Sequence, residues 1–225
     1  MLVKNWMTKE VITLTHDRSM MKAAKLMKDN AISRLPIVDD DGVLVGIISD
    51  RDIKEASPSK ATTLDMHELY YLLSEIKVKD IMSRKVITVS IEETVEKAAV
   101  VMDENKIGGI PVVDTENKCV GIITNTDVFK VLIQITGVMH GGVQIGLALS
   151  NEPGSLNGVL DYLKDNNARV MSILTSYEPE QENMRHVFIR INDMDKADLN
   201  KIKAGIAENF NMMFWVRDSV HGLTS

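Results

Sequence analysis

The sequence holds one cysteine, Cys119, among 225 residues. No intramolecular disulfide can staple the chain, and no thiol-rich metal site can form. Met1 to Trp6 lacks a basic stretch followed by an apolar one, and together these absences fit a reducing cytoplasm. Long hydrophobic runs are missing as well. The most apolar stretch, Val131 to Ile145, is broken by Gln134, Gly137, His140, Gly141 and Gly142, short of the roughly 20 apolar residues of a membrane helix. Excess positive charge is absent: 26 Lys and Arg stand against 32 Asp and Glu, a formal charge of -6, which argues against a nucleic-acid surface.

Catalytic and metal signatures are equally sparse. His16, His67, His140, His186 and His221 have no metal-ligand spacing, and neither a nucleophile elbow nor a Walker-type phosphate loop occurs. Cys119 falls in a strand-like run and reads as a buried, inert thiol without a base. Asp39-Asp40-Asp41-Gly42 lacks the twelfth-position ligand of a calcium loop and reads as a solvated turn. No metal, no obligatory cofactor and no catalytic set are expected.

What the chain does contain is a repeat. An offset of 75 places residues 3–53 on 78–128 without a gap, with about 20 identical positions. Met20, Ala23, Ala24 and Met27 recur at helical spacing, as do Val95, Ala98, Ala99 and Met102. Two short Ile/Val runs come next in each copy, separated by Asp39 to Gly42 or Thr115 to Lys118, and predict a hairpin before a second helix. Each copy is therefore strand, helix, strand, strand, helix. One such unit has too little core to stand alone, so the copies are expected to pack about a pseudo-twofold axis. Between them, Asp65 with Glu68 and the stripe Leu69, Leu72, Leu73, Ile76 predict a linker helix in which Tyr70 and Tyr71 pack into the core or linker, with a partner-facing placement as the alternative.

After Gly141-Gly142 the pattern changes to alternation at Val143, Ile145, Leu147 and Leu149. A turn at Glu152 to Ser155 leads to a helical stripe at Leu156, Val159, Leu160 and Leu163. Strands are predicted at 169–177 and 185–191, a helix at 196–209 and a last strand at 212–216. That order is the split βαβ, ferredoxin-like pattern.

Each repeat closes on a strand followed by a hydroxyl and, three residues later, a carboxylate: Ser49 with Asp52, Thr124 with Asp127. One reading is a capping box. The other is a ligand site, because a helix N-terminus favours phosphate and a carboxylate accepts from neighbouring ribose hydroxyls. The two readings are compatible. The doubled Gly-hydrophobic-hydrophobic-Ser/Thr-x-x-Asp closing, at Gly46 to Asp52 and Gly121 to Asp127, resembles a tandem pair of CBS domains, or Bateman module.

The resemblance implies an α+β fold of two pseudo-twofold-related β-α-β-β-α units and grooves built from both. One groove would use Ser49, Arg51 and Asp52 with Thr88 and the backbone near Ile107, Gly108 and Ile110. Its counterpart would use Thr124 and Asp127 with Thr13, Ile32, Ser33, Arg34 and Pro36. The ligand implied is AMP, ADP or ATP, with S-adenosylmethionine or NAD as alternatives. Because Ser33-Arg34 is replaced by Gly108-Gly109 and Arg51 by Thr126, each groove is expected to keep one arginine for a phosphate.

Residues 143–218 resemble an ACT domain, and Asn151, Glu152, Pro153 and Gly154 match its ligand loop in part. The organisation implied is repeat 1–56, linker helix 57–77, repeat 78–135, linker 136–142, ACT-like domain 143–218 and tail 219–225. The two resemblances together imply a non-catalytic homodimeric sensor acting on a metabolic enzyme or regulator, with neither nucleic acid nor membrane as partner. A dimerisation module whose grooves stay empty is the alternative.

Overall fold

The hydrophobic spacing decides the elements of each repeat. The two apolar stripes form α1 (Met20–Asp29) and α4 (Val95–Asn105). Their inward faces, Met20, Ala23 and Met27 and then Val95, Ala98 and Met102, are buried. Ser19 and Thr94 start these helices, each accepting from the backbone N–H three residues on. Among the residues described, 1–57, 71, 74–177 and 183–218 of a computed structural model, the chain divides into two compact units, Met1–Val128 and Phe129–Ser225.

In the first unit the Ile/Val runs are β2 (Arg34–Val38) paired antiparallel with β3 (Leu44–Ser49), and β5 (Gly109–Val113) paired with β6 (Cys119–Thr124). Short strands β1 (Leu14–Thr15) and β4 (Val89–Ser90) add in parallel. The Asp39 turn is solvated as expected. One Asp39 carboxylate oxygen accepts from the Asp41 and Val43 amides at 3.0 and 2.9 Å, and Gly42 takes a φ of +81°. Asp114 and Asn117, with a φ of +59°, do the same work in the second copy. Both hairpins slip register at the same place, Ile37/Val38 and Val112/Val113. Each hairpin leads into a helix, α2 (Asp50–Ala56) or α5 (Asn125–Thr136).

The repeats meet through reciprocal backbone pairs. Ile47 bonds Ser83 and Thr8 bonds Ile122, each pair exchanging both hydrogen bonds at 2.9 to 3.1 Å. Adding 75 to Thr8 and Ile47 gives Ser83 and Ile122, so the second pair is the first with the copies exchanged. Val43 bridges Lys118, its own equivalent, which sets this pair on the pseudo-twofold axis. Two glycines allow the approach: a Cβ on Gly46 would collide with the Met82 sulfur, and one on Gly121 would lie 2.6 Å from the Met7 sulfur. The linker helix falls almost wholly outside the described residues. Tyr71 is 64% exposed, contrary to the inward packing expected of it; no described element covers it. A four-residue helix, α3 (Val78–Ile81), opens the second repeat.

The second unit contains β7 (Val143–Ser150), α6 (Asn157–Asp165), β8 (Val170–Ser176), β9 (Met184–Ile191), α7 (Lys196–Asn209) and β10 (Met212–Arg217). The sheet is antiparallel, in the order β10-β7-β9-β8. Val143, Ile145, Leu147, Val187, Ile189 and Ile191 point inward and pack on Val159, Leu163, Leu199, Ile202 and Ile206. Each such side chain, removed from water, contributes about 1.5–3 kcal/mol. On the opposite face Phe188 stacks on Phe214, whose ring occupies the space above Gly146.

Gly121→Val is expected to lower stability in urea by about 1–3 kcal/mol, because the new side chain meets the Thr8 carbonyl as well as Met7. Gly158→Ala in α6 has nothing closer than 3.5 Å to its Cβ and is expected to leave stability unchanged or raise it by up to about 1 kcal/mol.

Candidate functional site

Ser49 with Asp52 forms the capping box anticipated for it, and Thr124 with Asp127 shows the carboxylate half of the same pattern. The Oδ2 of Asp52 accepts from the Ser49 amide and hydroxyl, both at 2.6 Å, while the Asp52 amide donates back to Ser49 Oγ at 3.3 Å. Asp127 Oδ2 accepts from the Thr124 amide at 3.0 Å and hydroxyl at 2.7 Å. The carboxylates are nevertheless unequal. Asp127 is 5% exposed, whereas Asp52 is half-buried and reaches a cavity wall.

Two cavities lie along the seam of the first unit. Groove A, about 220 Å³, is walled by Ser49 and Asp52 from the first repeat and by Ser83, Lys85, Val86, Ile87, Ile107, Gly109 and Pro111 from the second, with Ile47 and Arg34. Groove B, about 340 Å³, is walled by Thr8, Glu10, Val11, Ile12, Ala31, Ile32, Ser33 and Arg34 from the first repeat and by Gly108, Ile122, Thr124 and Thr126 from the second. The aliphatic walls correspond through the offset of 75: Ile47 to Ile122, Val86 to Val11, Ile87 to Ile12, Ile107 to Ile32. Each groove thus offers an apolar slot beside a hydroxyl, the pairing a flat heterocycle with a hydroxylated tail requires.

The structure redistributes several residues named from the sequence. Ser49, Asp52 and Ile107 line groove A, and Ile32, Ser33, Arg34 and Thr124 line groove B. Thr13, Thr88, Pro36, Ile110 and Asp127 are on neither wall; Pro36 and Ile110 are buried in strands β2 and β5. Gly108 lines groove B rather than groove A, and Gly109 takes its place in A.

One arginine for each groove is not what the fold delivers. Arg51 is 83% exposed and holds Glu55 one helical turn on, at 2.9 Å, so it is absent from groove A. Arg34 instead lines both cavities. It crosses the seam where the second repeat has no side chains: its Nη2 lies 3.0 Å from a Cβ built on Gly108, and its Cδ 3.4 Å from one on Gly109. Its charge also reaches Asp50, whose carboxyl is held below the usual range chiefly by the hydrogen bond and charge of Lys54, with Arg34 the smallest contributor.

Sequence reasoning missed Ser83, Lys85, Val86 and Ile87 and their counterparts Thr8, Glu10, Val11 and Ile12. They precede the first strand of each repeat in irregular backbone, where no periodicity marks a face. The offset of 75 was the available signal, since it sets acidic Glu10 against basic Lys85.

Among the described residues no group of three or more His, Cys, Asp or Glu could hold a metal ion, and no helix is long and apolar enough to cross a membrane. Cys119 is half-buried, with Sγ 3.7 Å from the Gly121 carbonyl, and burial pushes its thiol pKa up.

Two pseudo-symmetric β-α-β-β-α units with paired grooves at their seam define a tandem regulatory module. The sequence pattern of the CBS domain matches residues 3–59 and 78–134, half of the chain, and the chain belongs to this family. CBS pairs are usually regulatory and not catalytic. A CBS domain-containing protein of Dictyostelium discoideum is 35% identical over 134 residues, covering 60% of this chain and 92% of that protein. L-aspartate semialdehyde sulfurtransferase of Methanocaldococcus jannaschii is 37% identical over 129 residues, 57% of this chain, but the chain spans only 23% of that enzyme.

Among solved structures, CBSX2 of Arabidopsis thaliana in complex with AMP is 31% identical, with a TM-score of 0.50 over 60% of this chain and 98% of that one. A Vibrio cholerae protein described as acetoin utilization protein AcuB is 29% identical, with a TM-score of 0.52 over 62% and 95%.

Ser49→Ala, which removes the hydroxyl from its capping box, is expected to cost about 1 kcal/mol in thermal or urea unfolding, and Thr124→Ala a similar amount. Because burial favours the neutral thiol, Cys119 is expected to alkylate more slowly in the folded chain than in urea at pH 8; equal rates would mean the thiol is open to solvent.

Proposed function

We propose that this chain is a non-catalytic sensor that binds adenosine nucleotides of the AMP, ADP or ATP class in grooves A and B. The observation that carries the reading is the reciprocal placement of two apolar slots, each with a hydroxyl and shared access to Arg34, on one seam. The AMP complex of CBSX2 supports adenosine as the common part of the ligand. Asp52 is the residue for a ribose hydroxyl in groove A: its Oδ2 serves the capping box, and its Oδ1 makes no hydrogen bond among the described residues. Asp127 would serve groove B from behind Thr124.

Binding at a seam between two bodies biases their relative arrangement only by the ligand's differential affinity for the alternatives. A homodimer would carry that bias to a metabolic enzyme or regulator in the cytoplasm. Exposed Phe129 and Leu132 on α5, at 62% and 50%, support an association surface. Residues 143–218 are proposed as an ACT-type domain with a ferredoxin-like sheet, on the support of the βαββαβ order and the β10-β7-β9-β8 arrangement. The proposed division remains 1–56, 57–77, 78–135, 136–142, 143–218 and 219–225. The loop Asn151, Glu152, Pro153 and Gly154 is exposed, and Gly154 takes a φ of +85°, which suits a ligand turn. A role in acetoin utilisation is proposed from the likeness to AcuB.

Thermal unfolding with AMP, ADP and ATP tests the proposal. A ligand that binds only the folded chain adds about 2.7 kcal/mol at a hundredfold excess over its Kd, and Asp52→Ala is expected to shrink that gain. No shift with any of the three, nor with S-adenosylmethionine or NAD, would favour a dimerisation module with empty grooves.

A further inference from the structure

The grooves share a backbone plan yet carry opposite charge at equivalent positions. Lys85 stands in the wall of groove A, and the residue 75 positions earlier, Glu10, stands in the wall of groove B. Both are exposed, and neither makes an ion pair among the described residues. A structural role for either charge is therefore not visible, and each is available to a ligand.

Arg34 tips the balance further. It is the one cation common to both walls, with a single hydrogen bond among the described residues, Nη1 to Ser33 Oγ at 3.3 Å. A polyanion in groove A can engage Lys85 and Arg34 together, against the one carboxylate of Asp52. In groove B the same Arg34 faces Glu10, and once it turns to a phosphate chain in groove A, Glu10 is the charged group left on the wall. Charge-assisted contacts are about twice as strong as neutral ones, so this difference selects ligands by their tails while the aliphatic slots treat the heterocycle alike.

Resting on the nucleotide reading above for groove A and narrowing it for groove B, we propose that the grooves are specialised: groove A takes an adenosine polyphosphate, and groove B takes an adenosine derivative without a phosphate chain. Lys85 and Glu10 are the specificity-determining residues. The chain then senses two ligands, one read by negative charge and one by its absence.

Isothermal titration of the full chain with ATP and with adenosine at low ionic strength tests this. One ATP per chain is expected, with an affinity that falls as salt rises, and an adenosine affinity that does not. Lys85→Glu is expected to weaken ATP at least about tenfold and leave adenosine binding unchanged. Glu10→Lys is expected to create a second ATP site. Both positions are exposed, and circular dichroism would check that the variants are folded. Two equivalent ATP sites in the parent, unchanged ATP affinity in Lys85→Glu, or no second site in Glu10→Lys would overturn the specialisation. ATP binding in any of those cases leaves the nucleotide reading standing; absence of heat from both ligands overturns the two together.

Discussion

Reciprocal pairing of backbone across the repeat seam is the constraint on which the first unit depends. Thr8 with Ile122 and Ile47 with Ser83 exchange both of their hydrogen bonds, and Val43 meets Lys118 on the axis between them. These contacts fix the register of each copy against the other, because slipping one residue would turn every alternating side chain of β3 or β6 to the wrong face. They also require bare backbone at Gly46 and Gly121, where the methionines of the opposite copy fill the space a Cβ would occupy. A half-core too small to persist alone becomes one core by this exchange.

The grooves are a by-product of the same geometry. Each strand-to-helix closing faces the irregular segment that leads into the other copy, so each groove is walled by two distant parts of the chain. Symmetry of backbone supplies equivalent aliphatic slots; divergence of side chains supplies the difference. Replacement of Ser33-Arg34 by Gly108-Gly109 does more than delete an arginine from the second copy. It clears the ground over which Arg34 reaches, and so turns one residue of one repeat into a wall of both grooves.

The second unit rests on ordinary alternation. Inward residues of β7 and β9 meet two amphipathic helices, and the opposite face carries Phe188 and Phe214 over Gly146. Arg190 is an exception, 3% exposed, yet bonded to Asp218 at 2.7 Å and to the Gly141 carbonyl at 3.2 Å. A buried charge persists where a partner and a carbonyl share its cost. Its place in alternating strand β9 would have left it polar and outward from sequence alone.

The order of elements in both units, the hairpin turns, the helix 196–209 and the Ser49–Asp52 and Thr124–Asp127 pairings were legible in the sequence, because periodicity and side-chain-to-backbone hydrogen bonds act over a few residues. The repeat offset also revealed which positions would be equivalent. Which of those positions would meet a cavity was decided only by the tertiary structure. Arg51 looked like a groove residue until Glu55, one turn away, took its guanidinium to the surface; Lys85 and Glu10 stand in irregular backbone that carries no periodic signal, and only the seam brings them beside Ser49 and Thr124. A local pattern specifies which way a side chain points from its own element, but the wall of a groove is set by where another element, dozens of residues away, comes to rest.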